Sequence, residues 1–243
     1  MSDWQGDFVN VINSFEFYLK RLKASGMNTI PLGSETGKFI ELVNSNKFFN
    51  SSRCAMTLGD IRELIGDCRR CKLWEKRTNI VMGEGNPNAE LLFIGEAPGQ
   101  EEDLQARPFV GRAGQLLAKM IEAMGKTRED VYIANVIKCR PPENRSPEKE
   151  EITTCEPFLT MQIQAIRPEI ICALGNIAAQ TLLKTKQGIT SLRGKFYKFM
   201  GIKLYPTFHP AFLLRNPNMK DDSWKDLKVI MRELGWPMPR RQK

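Results

Sequence analysis

Residues 91–99 read LLFIGEAPG: four apolar residues, then a turn of glycine, acid, alanine, proline and glycine. A short apolar run that stops at a glycine-rich turn reads as a buried strand. Three further runs have the same character, at Val131–Val136, Ile170–Leu174 and Lys203–Pro206. Between them the spacing predicts helices over Ala113–Met124, Pro147–Ile166 and Asn176–Leu183, with a last one over Ser223–Leu234. The second of these opens on Ser146-Pro147-Glu148, a cap with proline at the first helical position and acid in the first turn. Strands alternating with helices imply a central, mainly parallel four-stranded sheet between two helical layers, a three-layer α/β/α fold.

In such sheets the functional crevice lies beyond the carboxyl ends of the strands. The first strand runs into Gly95-Glu96-Ala97-Pro98-Gly99, and the second through Asn135 to Lys138-Cys139-Arg140. The third ends at Gly175-Asn176 and the fourth at Phe208-His209-Pro210. Each strand therefore delivers a turn or a polar group to one shared rim. Working outward, residues 7–24 place apolar groups at helical spacing, and residues 26–56 form a polar connector. The expected organisation is a helical extension over 1–56, a catalytic domain over 57–236 and a basic tail over 237–243.

The net charge is +8 and the pI near 9.2, which favours a polyanionic partner. Residues 1–55 hold six Lys/Arg against five Asp/Glu, so +7 falls on the remainder. No apolar run approaches the roughly 20 residues that span a bilayer. The opening MSDWQGDFVN has two aspartates and no basic segment, so it does not read as a secretory signal. A cytoplasmic, nucleoid-associated monomer without membrane contact is expected, in a reducing compartment where six cysteines argue for ligation over disulfides.

Cys68 and Cys71 form C-x2-C, and Cys139 and Cys155 form C-x15-C around the loop PPENRSP. Two residues between cysteines let both sulfurs face inward from a tight turn, and the second pair can close over the same centre. Four thiolates suit zinc or a 4Fe–4S cluster, and the spacing alone leaves both open. Cys172 lies in an apolar strand and reads as core; Cys54 reads as an ordinary thiol. His209 is the sole histidine, in FHPAFLLRNP, where Arg215 can reach a phosphate. Leu213, on a turn beside a basic residue, reads as a wedge for a base stack, and Leu214 as core. Phe109 stands among Arg107, Pro108 and Arg112 and suits a stacking platform.

Taken together, the blocks GEAPGQEED, RPFVGRAGQLL, NVIKCRPPENRSP, LGNIAA, LRGKFY and FHPAFLLRNP resemble the family 4 uracil-DNA glycosylases, over residues 60–234. Ala97 and Ala106 stand where some members have glycine. The resemblance implies a 4Fe–4S cluster on Cys68, Cys71, Cys139 and Cys155, and uracil-containing DNA as partner. It implies that His209 donates to uracil O2 as negative charge grows there. Asn135 is then expected to accept from N3–H and donate to O4, a pattern that cytosine reverses. Phe109 stacks on the ring, Ala97 borders it, and Glu96 orients water or offsets the sugar cation. Glu102 shapes the edge that would meet a thymine methyl, and Asn144 supports the water or the strand. Arg140, Arg145, Leu213 and Arg215 meet the DNA. A related branch that traps itself covalently on DNA uses a histidine in an extra basic loop, which this sequence lacks. The rival from another class is a non-catalytic, metal-stabilised nucleic-acid-binding module; it accounts for the cysteines and the charge but not for the shared rim.

Overall fold

The computed structural model describes residues 56–239. The helix expected over 7–24, the connector before residue 56, Cys54 and residues 240–243 of the tail lie outside the described residues.

Helix α1 (Leu58–Ile65) starts at Thr57, whose hydroxyl accepts from the Asp60 amide while the Asp60 carboxylate accepts from the Thr57 amide. Strand β1 (Glu84–Gly85) is followed by β2 (Leu91–Gly95), α2 (Gln100–Gln105), α3 (Arg112–Ala123) and β3 (Tyr132–Asn135). Next come α4 (Lys149–Ile166), β4 (Ile170–Leu174), α5 (Gly175–Leu183) and the short α6 (Ile189–Leu192). Strands β5 (Tyr197–Phe199) and β6 (Ile202–Thr207) lead into α7 (Pro210–Arg215) and α8 (Lys220–Glu233).

The sheet has six strands in the order β1-β3-β2-β4-β6-β5, where four were expected. The central four are the expected ones, and they are parallel. The two additional strands are antiparallel edges, two and three residues long. Neither carries an apolar run, so pairing with a neighbour, rather than composition, makes each a strand. The N-terminus of α4 also differs from expectation. Glu148, not Ser146, is the N-cap, and its amide donates to the Glu151 carboxylate at 2.8 Å.

Strands β2 and β4 are buried along their whole length, as a parallel sheet covered on both faces requires. Alternate residues serve alternate faces. Leu92, Ile94, Ile171 and Ala173 pack with Leu159 and Ile163 of α4 and with Ala178 and Leu182 of α5. Leu91, Phe93, Ile170 and Cys172 pack with Leu117 and Ile121 of α3 and with Leu227 and Ile230 of α8. Two helical layers with the sheet between them follow directly from that period of two. Cys172 is wholly buried, as expected.

Register brings the strand ends level. Gly95 on β2 pairs with Asn135 on β3, and Leu174 on β4 pairs with Thr207 on β6. The end of β6 is fixed further by Asp226 on α8, which is 2 % exposed. Its carboxylate accepts from Thr207 Oγ1 at 2.7 Å and from Arg193 Nε at 3.0 Å. Replacing Asp226 with alanine removes the carboxylate partner of Arg193 and Thr207 and leaves them the Asp222 carbonyl and the Ser223 hydroxyl. Chemical denaturation of Asp226→Ala is expected to show a loss of about 3 kcal/mol, the usual cost of removing one partner of a buried pair.

Candidate active site

At the carboxyl ends of the strands lies a cavity of about 710 Å³, within the range of small-molecule sites. Glu96, Ala97, Glu102, Phe109, Asn135, Asn144, Arg145, His209 and Arg215 all line it. The rim read from the sequence is therefore one concave site. Gly175, Asn176, Phe208, Phe212 and Arg112 line it as well and carried no signal strong enough to assign them individually.

Asn135 closes β3 and is 1 % exposed. Its Oδ1 is buried without a hydrogen-bond partner among the described residues. A buried amide oxygen left unpaired costs about 1–3 kcal/mol, so a native site that keeps one has a partner to offer it. The space for this arrangement comes from Gly95, across the strand pair. A Cβ there would stand 2.5 Å from Asn135 Oδ1 and 2.4 Å from Phe109 Cζ.

Phe109 is 6 % exposed and adopts a φ of +52°, the left-handed region that a bulky residue rarely enters. Its ring centre lies 5.6 Å from that of His209, tilted by 32°. The start of α3 presses against its backbone through Gly114, where a Cβ would meet the Phe109 carbonyl at 1.9 Å. Glu102 holds the same loop from the other side. Its Oε1 accepts from the amides of Val110 (2.9 Å) and Gly111 (2.8 Å), and its Oε2 from that of Gly99 (3.1 Å). With both oxygens accepting from backbone donors, Glu102 fixes this loop at the pocket edge.

His209 caps α7, with Pro210 at the first helical position. Its Nδ1 accepts from the Ala211 amide at 3.1 Å, which places the ring proton on Nε2. Burial, and secondarily the nearby Arg215 charge, lowers its pKa to about 4. The ring is a neutral donor at neutral pH. Glu96 is displaced the opposite way: burial raises its pKa, opposed in part by the Ser146 hydroxyl. The site thus joins a neutral imidazole, a carboxyl with raised affinity for its proton, an aromatic face and an unsatisfied amide.

The residues expected to meet DNA divide. Arg215 lines the cavity, and Arg140 donates through Nε to Asn144 Oδ1 at 2.8 Å. Asn144 has a φ of +55°, as has Glu143 before it, so this turn at the mouth is tightly wound. Arg145 lines the cavity too, and its guanidinium makes two bonds to Glu151, at 2.6 and 2.9 Å, which pin the loop to α4. The two leucines exchange their expected places. Leu213 is 1 % exposed and belongs to the interior, whereas Leu214 is 37 % exposed. Pro210 and Leu213 are three apart and share the inner face of α7, which turns Leu214 outward.

The four cysteines also meet. Cys68, Cys71, Cys139 and Cys155 line one small pocket with Ile65, Ile80, Lys138 and Phe158. Arg70 Nη1 donates to Cys68 Sγ at 3.2 Å, and Arg77 Nη1 to Cys139 Sγ at 3.7 Å. Burial pushes the Cys139 thiol up to about 12 and raises Cys155 as well. Lys138, 2 % exposed, donates to the Asn135 carbonyl at 2.7 Å and so ties this pocket to the base of the rim. Among the described residues, no group of three or more His, Cys, Asp or Glu side chains is placed to hold a single metal ion. No helix among them is long and apolar enough to cross a membrane.

Comparison with known proteins bears on the same residues. A sequence profile of the Uracil DNA glycosylase superfamily matches residues 82–228. The type-4 uracil-DNA glycosylase of Sulfurisphaera tokodaii is 49% identical over 188 residues, covering 73% of this chain and 84% of that protein. That of Saccharolobus solfataricus is 47% identical over 188 residues, covering 72% and 87%. That of Archaeoglobus fulgidus is 42% identical over 191 residues, covering 75% and 96%. With its sheet, its rim and the matched span in agreement, this chain belongs to the uracil-DNA glycosylase superfamily, on the type-4 branch.

Proposed function

We propose that this protein hydrolyses the N-glycosidic bond of deoxyuridine flipped out of DNA, releasing uracil and leaving an abasic site. The observation that carries the reading is the pairing, in one cavity, of an unpartnered Asn135 Oδ1 with a His209 ring fixed as an Nε2–H donor. Uracil offers an N3–H to the first and an O2 to the second. Breaking the bond leaves negative charge on the base, delocalised onto O2, and positive charge on the sugar. A neutral imidazole stabilises that anion by donating without transferring its proton, and its lowered pKa keeps it in that form. Phe109 stacks on the ring. Glu96 is suited to orient the attacking water, whose oxygen joins the sugar carbon and whose proton goes to solvent or base. Arg215 and Arg140 meet phosphates, and exposed Leu214 takes the wedge position.

We further propose that Cys68, Cys71, Cys139 and Cys155 hold a 4Fe–4S cluster. The chemistry of the donor set supports this: four thiols around one pocket, with Arg70 and Arg77 donating to two of the sulfurs. When bound, it would supply cross-links between the start of the domain and the 139–155 segment, and hydrolysis asks no electron transfer of it. Purified protein is expected to be brown and to carry about four irons per chain. Colourless protein with zinc contradicts the assignment, and full activity with an intact fold after iron removal contradicts the structural role.

Incubation with uracil-containing DNA followed by alkali should cut the strand at uracil and leave the thymine-containing control whole. In the same assay His209→Ala should lose about 10²–10³-fold in rate, the usual loss for one oxyanion donor. No cleavage at uracil by the wild type rejects the proposed activity.

The two perturbed groups also separate by pH. His209 stays neutral down to about pH 4, so the fall in rate on acidification belongs to Glu96 taking up its proton. Glu96→Gln should therefore be slower and lack that acid limb, while a limb that survives points to another group. Stability behaves differently. The folded state binds His209's proton less readily than the unfolded chain does, so stability should fall as pH drops from about 6.5 towards 4. Denaturation of His209→Gln should lack that component.

A further inference from the structure

The chemistry proposed above uses the ring of Phe109 but leaves unexplained what keeps its backbone left-handed. Nothing in the residue favours that conformation, and no glycine relieves it. Two carbonyls of the loop, those of Pro108 and Phe109, point to one side chain. Arg128, 19 residues further along and beyond the end of α3, donates from Nη1 to the Phe109 carbonyl at 2.9 Å. Its Nη2 donates to the Pro108 carbonyl at 2.6 Å. The remaining edge of the guanidinium is taken by Glu84 on β1, whose Oε1 accepts from Nη2 at 2.5 Å and from Nε at 3.0 Å. Arg128 and Glu84 are 18 % and 21 % exposed, so this pair is largely sheltered from solvent. Glu84 also accepts from Arg107 Nε at 2.7 Å, and so holds the loop at a third point.

The geometry points to Arg128, braced by Glu84, as the positioning residue that sets the plane of Phe109 against the flipped base. Successive carbonyls at 108 and 109 can converge on one planar fork only if the chain turns sharply between them, and the left-handed φ at Phe109 is that turn. Glu102 holds the next two amides, at Val110 and Gly111, from the opposite flank. The peptide that follows the aromatic residue is thus gripped by a cation at its carbonyl, that of Phe109, and by an anion at its N–H, that of Val110. Without the cation the loop relaxes, and the ring turns away from Gly95 and His209. The edge strand β1, with no apolar residue of its own, then has a role: it carries Glu84. The inference rests on Phe109 stacking against uracil.

The test is a double-mutant cycle read by single-turnover excision of uracil, with unfolding followed in parallel. Arg128→Gln is expected to lose about 10²-fold in rate per folded molecule, the scale of a misplaced contact. Arg128→Lys, which keeps the charge but not the fork, should recover only part of it. In a Phe109→Ala background, Arg128→Gln should change the rate by less than about twofold, because the ring it positions is gone. Equal losses in both backgrounds, or a wild-type rate for folded Arg128→Gln, overturn the inference. If Arg128→Gln does not fold, Glu84→Gln replaces it in the same cycle and is read by the same criteria. A wild-type rate for Phe109→Ala alone would instead remove the stacking role, a distinct outcome from failure of the Arg128 pair.

Discussion

At the end of the second central strand, the carboxamide oxygen of Asn135 is buried with no donor to it among the described residues. The neighbouring strand must end in glycine, because a Cβ at Gly95 would fill the place of both Oδ1 and the Phe109 ring. Phe109 must then come over the top in a left-handed turn, which Gly114, Glu102 and Arg128 hold from three directions. Each costly local feature is thus tied to one oxygen waiting for a donor. Parallel strands in register make this possible, since Gly95 and Asn135 stand side by side only if β2 and β3 are aligned as they are.

Electrostatics at the rim follow from the same burial. One low-dielectric cavity moves an imidazole and a carboxyl in opposite directions on the pH scale, disfavouring the charged form of each. In the role proposed for His209 that is an advantage, because a neutral ring can strengthen its hydrogen bond as charge develops without carrying charge beforehand. The cysteine pocket lies apart from this chemistry. Its link to the rim runs through Lys138, which donates to the Asn135 carbonyl at the strand end.

The sequence made the central sheet legible because its four strands are apolar runs ended by turns, and the rim follows from the topology of such sheets. The edge strands could not be read: Glu84–Gly85 and Tyr197–Phe199 are too short for a pattern and exist only as paired edges. Single residues of the site were legible where a residue type is rare, as with the sole histidine, which lines the cavity. They were lost where partners decide. Leu213 looked like a DNA contact, but helical phase turns it inward, and the ion pair of Arg145 with Glu151, six residues on, left no trace in the sequence. The Arg128 bond to Phe109 crosses 19 residues with no motif, so only the folded chain reveals it.

The central claim is that the rim is a socket for one pattern of donor and acceptor, and binding of free bases tests it without any chemistry or DNA. Calorimetric titration of the intact protein with uracil and with cytosine compares two rings of nearly equal size whose hydrogen-bonding edges are reversed. The account predicts measurable binding of uracil, none of cytosine at the same concentrations, and loss of uracil binding in Asn135→Ala. Equal binding of both bases, or uracil binding that survives in Asn135→Ala, would contradict it.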